Sequence, residues 1–560
     1  MSTLGPPDLG YRRSRDQDAA VPVRHPVIVA GAGPVGLATA IDLAQRGVPV
    51  VLLDDDDTLA SGSRAICFAQ RTLNIFDRLG CGQKMVDKGV SWSTGRVYFQ
   101  DDLVYSFDLQ PEGGHRRPAF INLQQYYVER YLIERARELP DLELRFKQRV
   151  RSARAHDDCV ELEIETPDGP YLLRCAYLVA ADGSRSTLRG ALGLEARGHT
   201  FRDRFLIADV RMNAPFPTER RFWFDPPFHR NQSALLHRQP DDTWRIDFQL
   251  GWDADPDRER APERVAARVR AMLGAAVSFE LLWVSIYTFS CVRMERFRHG
   301  RVLFAGDSAH GVSPFGARGA NSGVQDADNL AWKIAWVIAG RAPDSLLDSY
   351  DSERVAAADE NIRHSTRSTD FITPKSRVSR TFRDATLRLA RRHEFARQLV
   401  NSGRLSTATA LLHSPLNTAD EDDFPGGLPP GAACVDAPLS GVDGATWLLD
   451  RLPGEFTLLL YLAGDAGPGD EQRIAALRAQ LGEIGLLVIS ACAENRATPG
   501  PAGRFADAAG LVAERYDVRH MSCYLMRPDQ HVCARWRAPD PERIVAALRR
   551  ATAHKEKEPA

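Results

Sequence analysis

The stretch Gly31-Ala-Gly-Pro-Val-Gly36 constrains this chain more than any other, because of what stands on either side of it. An apolar run, Val27-Ile-Val-Ala30, leads into it, and a run with helical spacing, Leu37 to Arg46, leads out. A second strand-like run, Val48 to Leu53, ends on Asp54. This is the grammar of a βαβ unit, in which glycines admit a pyrophosphate to backbone N–H groups and an acid takes ribose hydroxyls. Alone, the glycine pattern is weak, since it also arises by chance. Far along the chain, however, Gly300-Arg-Val-Leu-Phe-Ala-Gly-Asp307 again reads as a buried strand ending in a Gly-Asp turn. Two such turns on one nucleotide fold suit a dinucleotide held at both ends, and FAD fits that better than NAD.

The 560 residues, 44% of them hydrophobic, are too many for one core and predict two or three domains. Lys+Arg 72 against Asp+Glu 74 gives a net charge of −2, so no global field draws the chain to nucleic acid or anionic lipid. No apolar window of about 18 residues is present, so no membrane span is expected. Met1 to Arg24 is polar and rich in Pro, Arg and Asp, and reads as a disordered extension without the apolar core of a signal peptide. The 9 cysteines form no repeating pattern, which favours reduced thiols and a cytoplasmic protein. His520, Cys523, His531 and Cys533 flank a turn at Arg527-Pro-Asp529. Structural zinc draws on tighter cysteine pairs, so the expectation is no metal.

Helices are expected at Arg71 to Leu79, Gln124 to Leu139 and Ser322 to Ala339, with strands at Gly95 to Gln100, Val160 to Thr166 and Tyr171 to Ala180. From His199 to Ser290 the pattern alternates, which argues an antiparallel sheet with one covered face. A Pro/Gly-rich break, Asp423 to Gly431, reads as a linker. Beyond it come a strand (Phe456 to Leu462), a helix (Asp470 to Leu481), a strand (Gly485 to Ser490), a hairpin near Asp529 and a last helix (Pro541 to Arg550). That is the thioredoxin-like order, without the C-x-x-C that thiol exchange would need.

In these residues the chain resembles the class A, single-component FAD-dependent aromatic hydroxylases, in the branch of phenol hydroxylase and 3-(3-hydroxyphenyl)propionate hydroxylase. The resemblance runs from about Pro26 to about Leu548, strongest in the FAD segments. It implies an α/β fold: a Rossmann-like FAD-binding domain (25–90, 116–190 and 291–410) interrupted by an antiparallel substrate sheet (91–115 and 191–290). A linker (411–431) and a thioredoxin-like domain (432–553) follow. By the same resemblance Gly31, Gly33, Pro34, Val35 and Gly36 form the pyrophosphate loop. Asp54 stands where the family usually has Glu, and either carboxylate accepts two hydroxyls. Arg64 meets the pyrophosphate, and Gln125, or its neighbour Gln124, meets the ribityl or ring region. Asp182, Gly183 and Arg185 match a second fingerprint shared by FAD and the nicotinamide cofactor, and Gly306 and Asp307 match the ribityl site. Pro314 to Asn321, with Arg318, Gly319 and Ala320, would lie against the flavin ring, where a helix N-terminus favours the reduced, anionic flavin.

The implied chemistry is NADH- or NADPH-driven reduction of FAD, then reaction with O2. A flavin C4a-hydroperoxide then transfers oxygen to a phenolic ring. The protein must exclude water, hold the ring and help deprotonate the phenol. Tyr287 is the candidate relay, with the Pro314 carbonyl and His237 as others, and Arg238 and Arg245 line either the pocket or the outer sheet face. Trp223 reads as packing. The expected partner is a small phenolic substrate, with no nucleic acid and no membrane, in a monomer or a homodimer. A flavin oxidase, dehydrogenase or Baeyer–Villiger-type enzyme would use the same FAD motifs, and a non-catalytic flavoprotein is the remote alternative.

Overall fold

The computed structural model describes residues 7–62, 64–274, 276–400, 405–441, 444–491 and 504–554. It forms two compact units, one of residues 1–111, 118–327 and 358–407, the other of 112–117, 328–357 and 408–560.

The first unit holds a mostly parallel sheet. Strand Val23–Ala30 lies between parallel neighbours Val50–Leu53 and Tyr171–Ala180. Leu142–Arg145 and Val302–Phe304 extend the order outward, both also parallel. Val27 to Ala30 are all buried, which is why that run is continuously apolar rather than alternating. The carboxyl ends of these strands carry Gly31, Asp54, Asp182 and Gly306 to one edge of the sheet, where open α/β folds bind ligands.

A second, 8-stranded and largely antiparallel sheet contains Thr94–Phe99, Asp102–Asp108, Ala196–Arg211, Arg220–Phe224, Ser233–Arg238, Thr243–Leu250 and Glu280–Met294. Its alternating residues divide between two cores. Leu206, Ala208, Trp244, Ile246 and Phe248 pack with Val265 and Val269 of helix Pro262–Leu273 on the outer face. Phe205, Phe224, Leu235 and Phe289 form the inner face, together with Phe315 and Ile372. Both faces are covered, against the single covered face expected.

The amino-terminal segment corrects a sequence expectation. Residues 7–24 are not a disordered tail. Leu9 is buried, Ser14 caps a short turn at Arg15–Asp18, and Asp16 binds both Arg145 (2.6 Å) and His25 (2.8 Å). Composition reads such a segment as solvated because its ion-pair partners lie elsewhere in the sequence.

In the second unit, residues 328–357 pack with the tail, although the sequence boundaries would leave them wholly with the FAD-binding segments. Trp332 and Trp336 join the core of Phe456, Leu458 and Leu460. Beside them Glu353 accepts hydrogen bonds from Lys333 Nζ (2.7 Å), Arg527 Nη1 (2.6 Å) and Asn329 Nδ2 (2.7 Å), and Arg527 also binds Asp529 (2.6 Å). Against the burial that would raise it, Arg527 and Lys333 hold the Glu353 carboxyl far below the usual range. Charges this deep are tolerated only as a complete network, since each unpaired ion would cost several kcal/mol.

The tail sheet runs Gly444–Trp447, Pro438–Gly441, Arg504–Ala506, Gly485–Ser490, Thr457–Leu462, Cys523–Met526, Val532–Trp536, with helices Pro468–Gln480 and Pro541–Ala551. The considered zinc residues have other partners: His520 meets Asp470 (3.2 Å), His531 meets Asp529, and the Cys533 thiol donates to the Leu525 carbonyl. Among the described residues no group of His, Cys, Asp and Glu is arranged to hold a metal, and no helix is long and apolar enough to cross a membrane.

Candidate cofactor and substrate site

Gly31 is where the first strand turns toward helix Pro34–Gln45. Its φ is +107°, and a Cβ there would lie 2.4 Å from the Ala181 carbonyl oxygen, so only glycine fits. A Cβ on Gly36 would lie 1.8 Å from the Gly31 oxygen, whereas Gly33 faces open space. No side chain caps the helix that Gly33 begins, and its first turn holds no acid. Its first N–H groups therefore form a ready seat for an anion. Asp54 braces this loop: its carboxylate accepts the Ala32 N–H and, at 2.8 Å, the Asp56 N–H. Burial raises its carboxyl pKa.

Val35 joins the distant motifs. A Cβ on Gly306 would lie 2.9 Å from its side chain, and one on Gly323 2.6 Å. The Gly-Asp turn and helix Gly319–Ile338 thus converge on the first glycine loop. Asp307 is solvent-accessible, yet burial by the surrounding protein raises its carboxyl, the combination expected of a group lining a cleft. A Cβ on Gly319 would lie 4.0 Å from its Oδ1.

Several residues that sequence reasoning passed over hold this arrangement. Asp326, fully buried, accepts the Gly306 N–H (2.9 Å) and meets His310 Nε2 (2.7 Å). Glu129 accepts the Ala60 N–H (2.7 Å) and the Gln125 Nε2 (2.7 Å), while Gln125 Oε1 accepts the Ala65 N–H (3.3 Å). Arg189 donates to the Ser308 (2.7 Å) and Ser184 (2.8 Å) carbonyls.

The other residues expected at the cofactor stand as follows. Asn321 spends its amide on protein: Oδ1 accepts the Ala69 N–H (2.8 Å), and Nδ2 donates to the Cys67 (2.8 Å) and Ala317 (2.6 Å) carbonyls. Its side chain thereby ties the Cys67–Ala69 strand to the start of its own helix. Arg318 is buried and donates to Asn361 Oδ1 (2.9 Å). Asp182 accepts from Ser186 Oγ (2.6 Å) and the Leu188 N–H (3.0 Å), capping a short helix, with Gly183 at φ +78° and Arg185 exposed. Arg64 is exposed and forms no ion pair among the described residues, and Gln124 is buried with Nε2 on the Pro240 carbonyl (3.3 Å). The Pro314 carbonyl accepts the Ala317 N–H (3.1 Å), leaving one lone pair. Ala320 lies in the first turn of its helix.

On the second sheet the inner face carries Tyr287, opposite Phe205 and packed against the cluster that includes Phe289 and Phe315. Its hydroxyl makes no hydrogen bond among the described residues. His237 and Arg245 face each other on this inner surface, whereas Arg238 lies over the Trp244 ring and Trp223 stacks on Tyr98 (5.2 Å) on the outer one. Backbone positions 237 and 287 are three strands and a four-residue step apart, roughly 20 Å, so these two residues do not share one reacting atom. Cys67, whose carbonyl Asn321 holds, adjoins Arg220 and Arg245, and the Arg64 carbonyl accepts from Arg245 Nη1 (3.3 Å).

These residues fit FAD: an uncapped helix N-terminus for phosphates, a cleft carboxylate at Asp307 for hydroxyls, and glycines where a side chain would block the backbone. Comparison with known proteins agrees. The FAD binding domain family matches residues 24–365. A flavin-dependent monooxygenase of Mycobacteroides abscessus is 33% identical over 353 residues, 59% of this chain and 71% of that protein. The 3-(3-hydroxy-phenyl)propionate/3-hydroxycinnamic acid hydroxylase of Escherichia coli is 31% identical over 363 residues, 64% of each chain, so this chain spans less than two thirds of it. The flavin-dependent monooxygenase PieE, solved with FAD and substrate, shares the fold with a TM-score of 0.78 and 24% identity over 95% of this chain and all (100%) of that one. The chain belongs to the FAD binding domain family and, within it, to the flavin-dependent monooxygenases.

Proposed function

We propose that this enzyme hydroxylates a phenolic aromatic compound at the expense of NADH or NADPH. The observation that carries the reading is the aromatic inner face of the sheet, Tyr287 with Phe205, Phe289 and Phe315, next to the Pro314–Asn321 loop at the FAD cleft. The hydroxylase of Escherichia coli, which acts on phenols, supports it. Bound FAD, once reduced, would supply the activation of O2 and the oxygen atom that enters the ring. The chain's own part is threefold. The apolar cluster keeps water from the reacting centre, its rings hold the substrate ring flat, and the Tyr287 hydroxyl relays the phenol proton, accepting it while its own proton passes to solvent. The free lone pair of the Pro314 carbonyl orients the substrate hydroxyl.

The test is a panel of phenols scored for faster NADH or NADPH oxidation, with products identified by mass. A product heavier by one oxygen, formed in step with nucleotide consumed, supports the reading. Consumption that yields only hydrogen peroxide, or a ring-expanded ester from a ketone, supports the oxidase or Baeyer–Villiger alternative.

The tail is read as thioredoxin-like, serving stability or association. The parallel pair Thr457–Leu462 and Gly485–Ser490, followed by antiparallel Cys523–Met526 and Val532–Trp536, supports it. Cytoplasmic location and the choice between monomer and homodimer belong to the same reading.

A further inference from the structure

The chain as a whole is nearly neutral, at a net charge of −2, but one stretch is strongly basic. Residues 377–400 hold seven arginines against two acids, Asp384 and Glu394. They form helix Arg377–Ala390, which the Ser376 side chain caps, and the shorter helix Glu394–Val400 packed against it. Leu387, Ala390 and Ala396 are fully buried and join the aromatic cluster of Phe224, Phe289 and Phe315. That contact accounts for one apolar face.

A second apolar face points away from the protein. Val378, Phe382, Ala385 and Leu389 recur at steps of four, three and four, so they line one side of the long helix, and all are exposed. Val378 is 79% exposed and Phe382 58%, and the shorter helix adds Phe395 (59%) and Leu399 (44%). Five of the eleven large apolar side chains that stand exposed among the described residues therefore lie between positions 378 and 399. A surface helix ordinarily keeps one apolar stripe, against its core. The outward stripe buries nothing in this fold, and clustered exposure of this kind marks a contact surface.

The arginines narrow what that contact is. Arg383 is buried and holds Asp384 (2.8 Å), and Arg391 meets Asp102 (2.6 Å). Arg377, Arg388 and Arg392 are exposed and form no ion pair among the described residues, Arg388 lying over the Phe99 ring. Arg380, also exposed, donates only to the neutral Asn231 Oδ1 (3.2 Å). Uncompensated positive charge thus accompanies the apolar stripe.

We propose that this two-helix face docks on an anionic membrane surface. Phe382, Phe395 and the aliphatic side chains beside them enter the headgroup boundary, and Arg377, Arg380, Arg388 and Arg392 meet lipid phosphates. Exposed apolar residues flanked by arginines are the composition of a helix that lies in a membrane interface without crossing it. Each cation held near such a surface strengthens attachment about fivefold. A second copy of the chain is a poorer occupant, because twofold docking would set these arginines against themselves. The apolar side chains stand out from the helices, which suits a fluid boundary better than a partner of fixed shape.

The test sediments the full-length, FAD-loaded enzyme with vesicles of phosphatidylcholine alone, or of phosphatidylcholine and phosphatidylglycerol in equal parts. The parent should bind the anionic vesicles at least about tenfold more tightly than the neutral ones, and added salt should erase the difference. Arg388→Gln with Arg392→Gln should weaken anionic binding about tenfold or more. Phe382→Gln with Phe395→Gln should weaken it to a similar degree although every charge remains. All four positions are exposed, so FAD content and Tm should match the parent, and two independent pairs guard against one misfolded variant. A parent that ignores anionic vesicles, or variants that bind them as the parent does, overturn the inference. A parent dimer in light scattering that Phe382→Gln with Phe395→Gln turns into monomers would assign the face to a second copy and overturn it. Indifference to vesicles with tight binding to a synthetic helix of leucine and glutamate would assign it to an acidic protein, and overturn it as well.

Discussion

At the strand ends of the parallel sheet, the groups open to a ligand are backbone N–H groups, glycines and the Asp307 carboxylate, and other side chains around them act as braces. On the inner face of the antiparallel sheet the reverse holds: the backbone is consumed by the ladder, and what the face presents is side chains, Tyr287, His237 and Arg220 among them. Asp54, Asp326 and Glu129 each accept a backbone N–H of the cofactor edge. Arg220 Nη1 and His237 Nδ1 are buried without a hydrogen-bond partner among the described residues. Substitution in the first region should therefore change how much FAD is held, and substitution in the second what the held FAD accomplishes.

The largest expected effect is on the sheet face. Tyr287→Phe should slow hydroxylation by about 10²–10⁴, the range for losing a general acid or base, with FAD per chain unchanged. The deficit should shrink as pH rises, because a phenol that ionises unaided no longer needs the relay. Parent-like rates across the pH range would return Tyr287 to packing and break the contrast. Next is Gly31→Ala, which combines a left-handed φ with a backbone collision and should weaken FAD binding on the order of 100-fold in titrations of apoprotein.

Asp307→Ala removes the cleft carboxylate, and about a tenfold or greater loss of FAD affinity is expected, with turnover per bound FAD nearly unchanged. Parent-like flavin content would end the ribityl assignment. The smallest effect sharpens the idea of a brace. Asp326→Asn keeps an oxygen for the Gly306 N–H but loses the charge facing His310, so FAD should bind about fivefold more weakly, or ~1 kcal/mol. If Asp326→Asn instead slowed hydroxylation with FAD fully bound, Asp326 would belong to the chemistry and not to the scaffold.

Much of the cofactor edge was legible before any fold was known. Gly31, Gly36 and Gly306 are demanded by close approach or φ, constraints that act within a few residues and so leave a local pattern. Secondary structure followed from periodicity, as with Tyr171–Ala180 beside them and, in the other unit, Gly485–Ser490. The roles of polar side chains were less legible. Asn321 and Asp182, expected at the cofactor, bind the protein itself, because a side chain's partner is set by what the fold brings within about 3 Å.

The sequence alone determined that a dinucleotide fold is present, where its glycine turns lie, and that an alternating sheet interrupts it. Each rests on interactions between near neighbours in the chain. Only the tertiary structure decided that Arg220, His237 and Arg245 form one row, since register between strands selects which faces meet. It likewise decided that Asp326 holds the Gly-Asp turn, that Asp16 and Arg145 order the first residues, and that 328–357 packs with the tail through Glu353 and Arg527. Buried charges acquire meaning only from partners that are distant in sequence, and no local pattern names those partners.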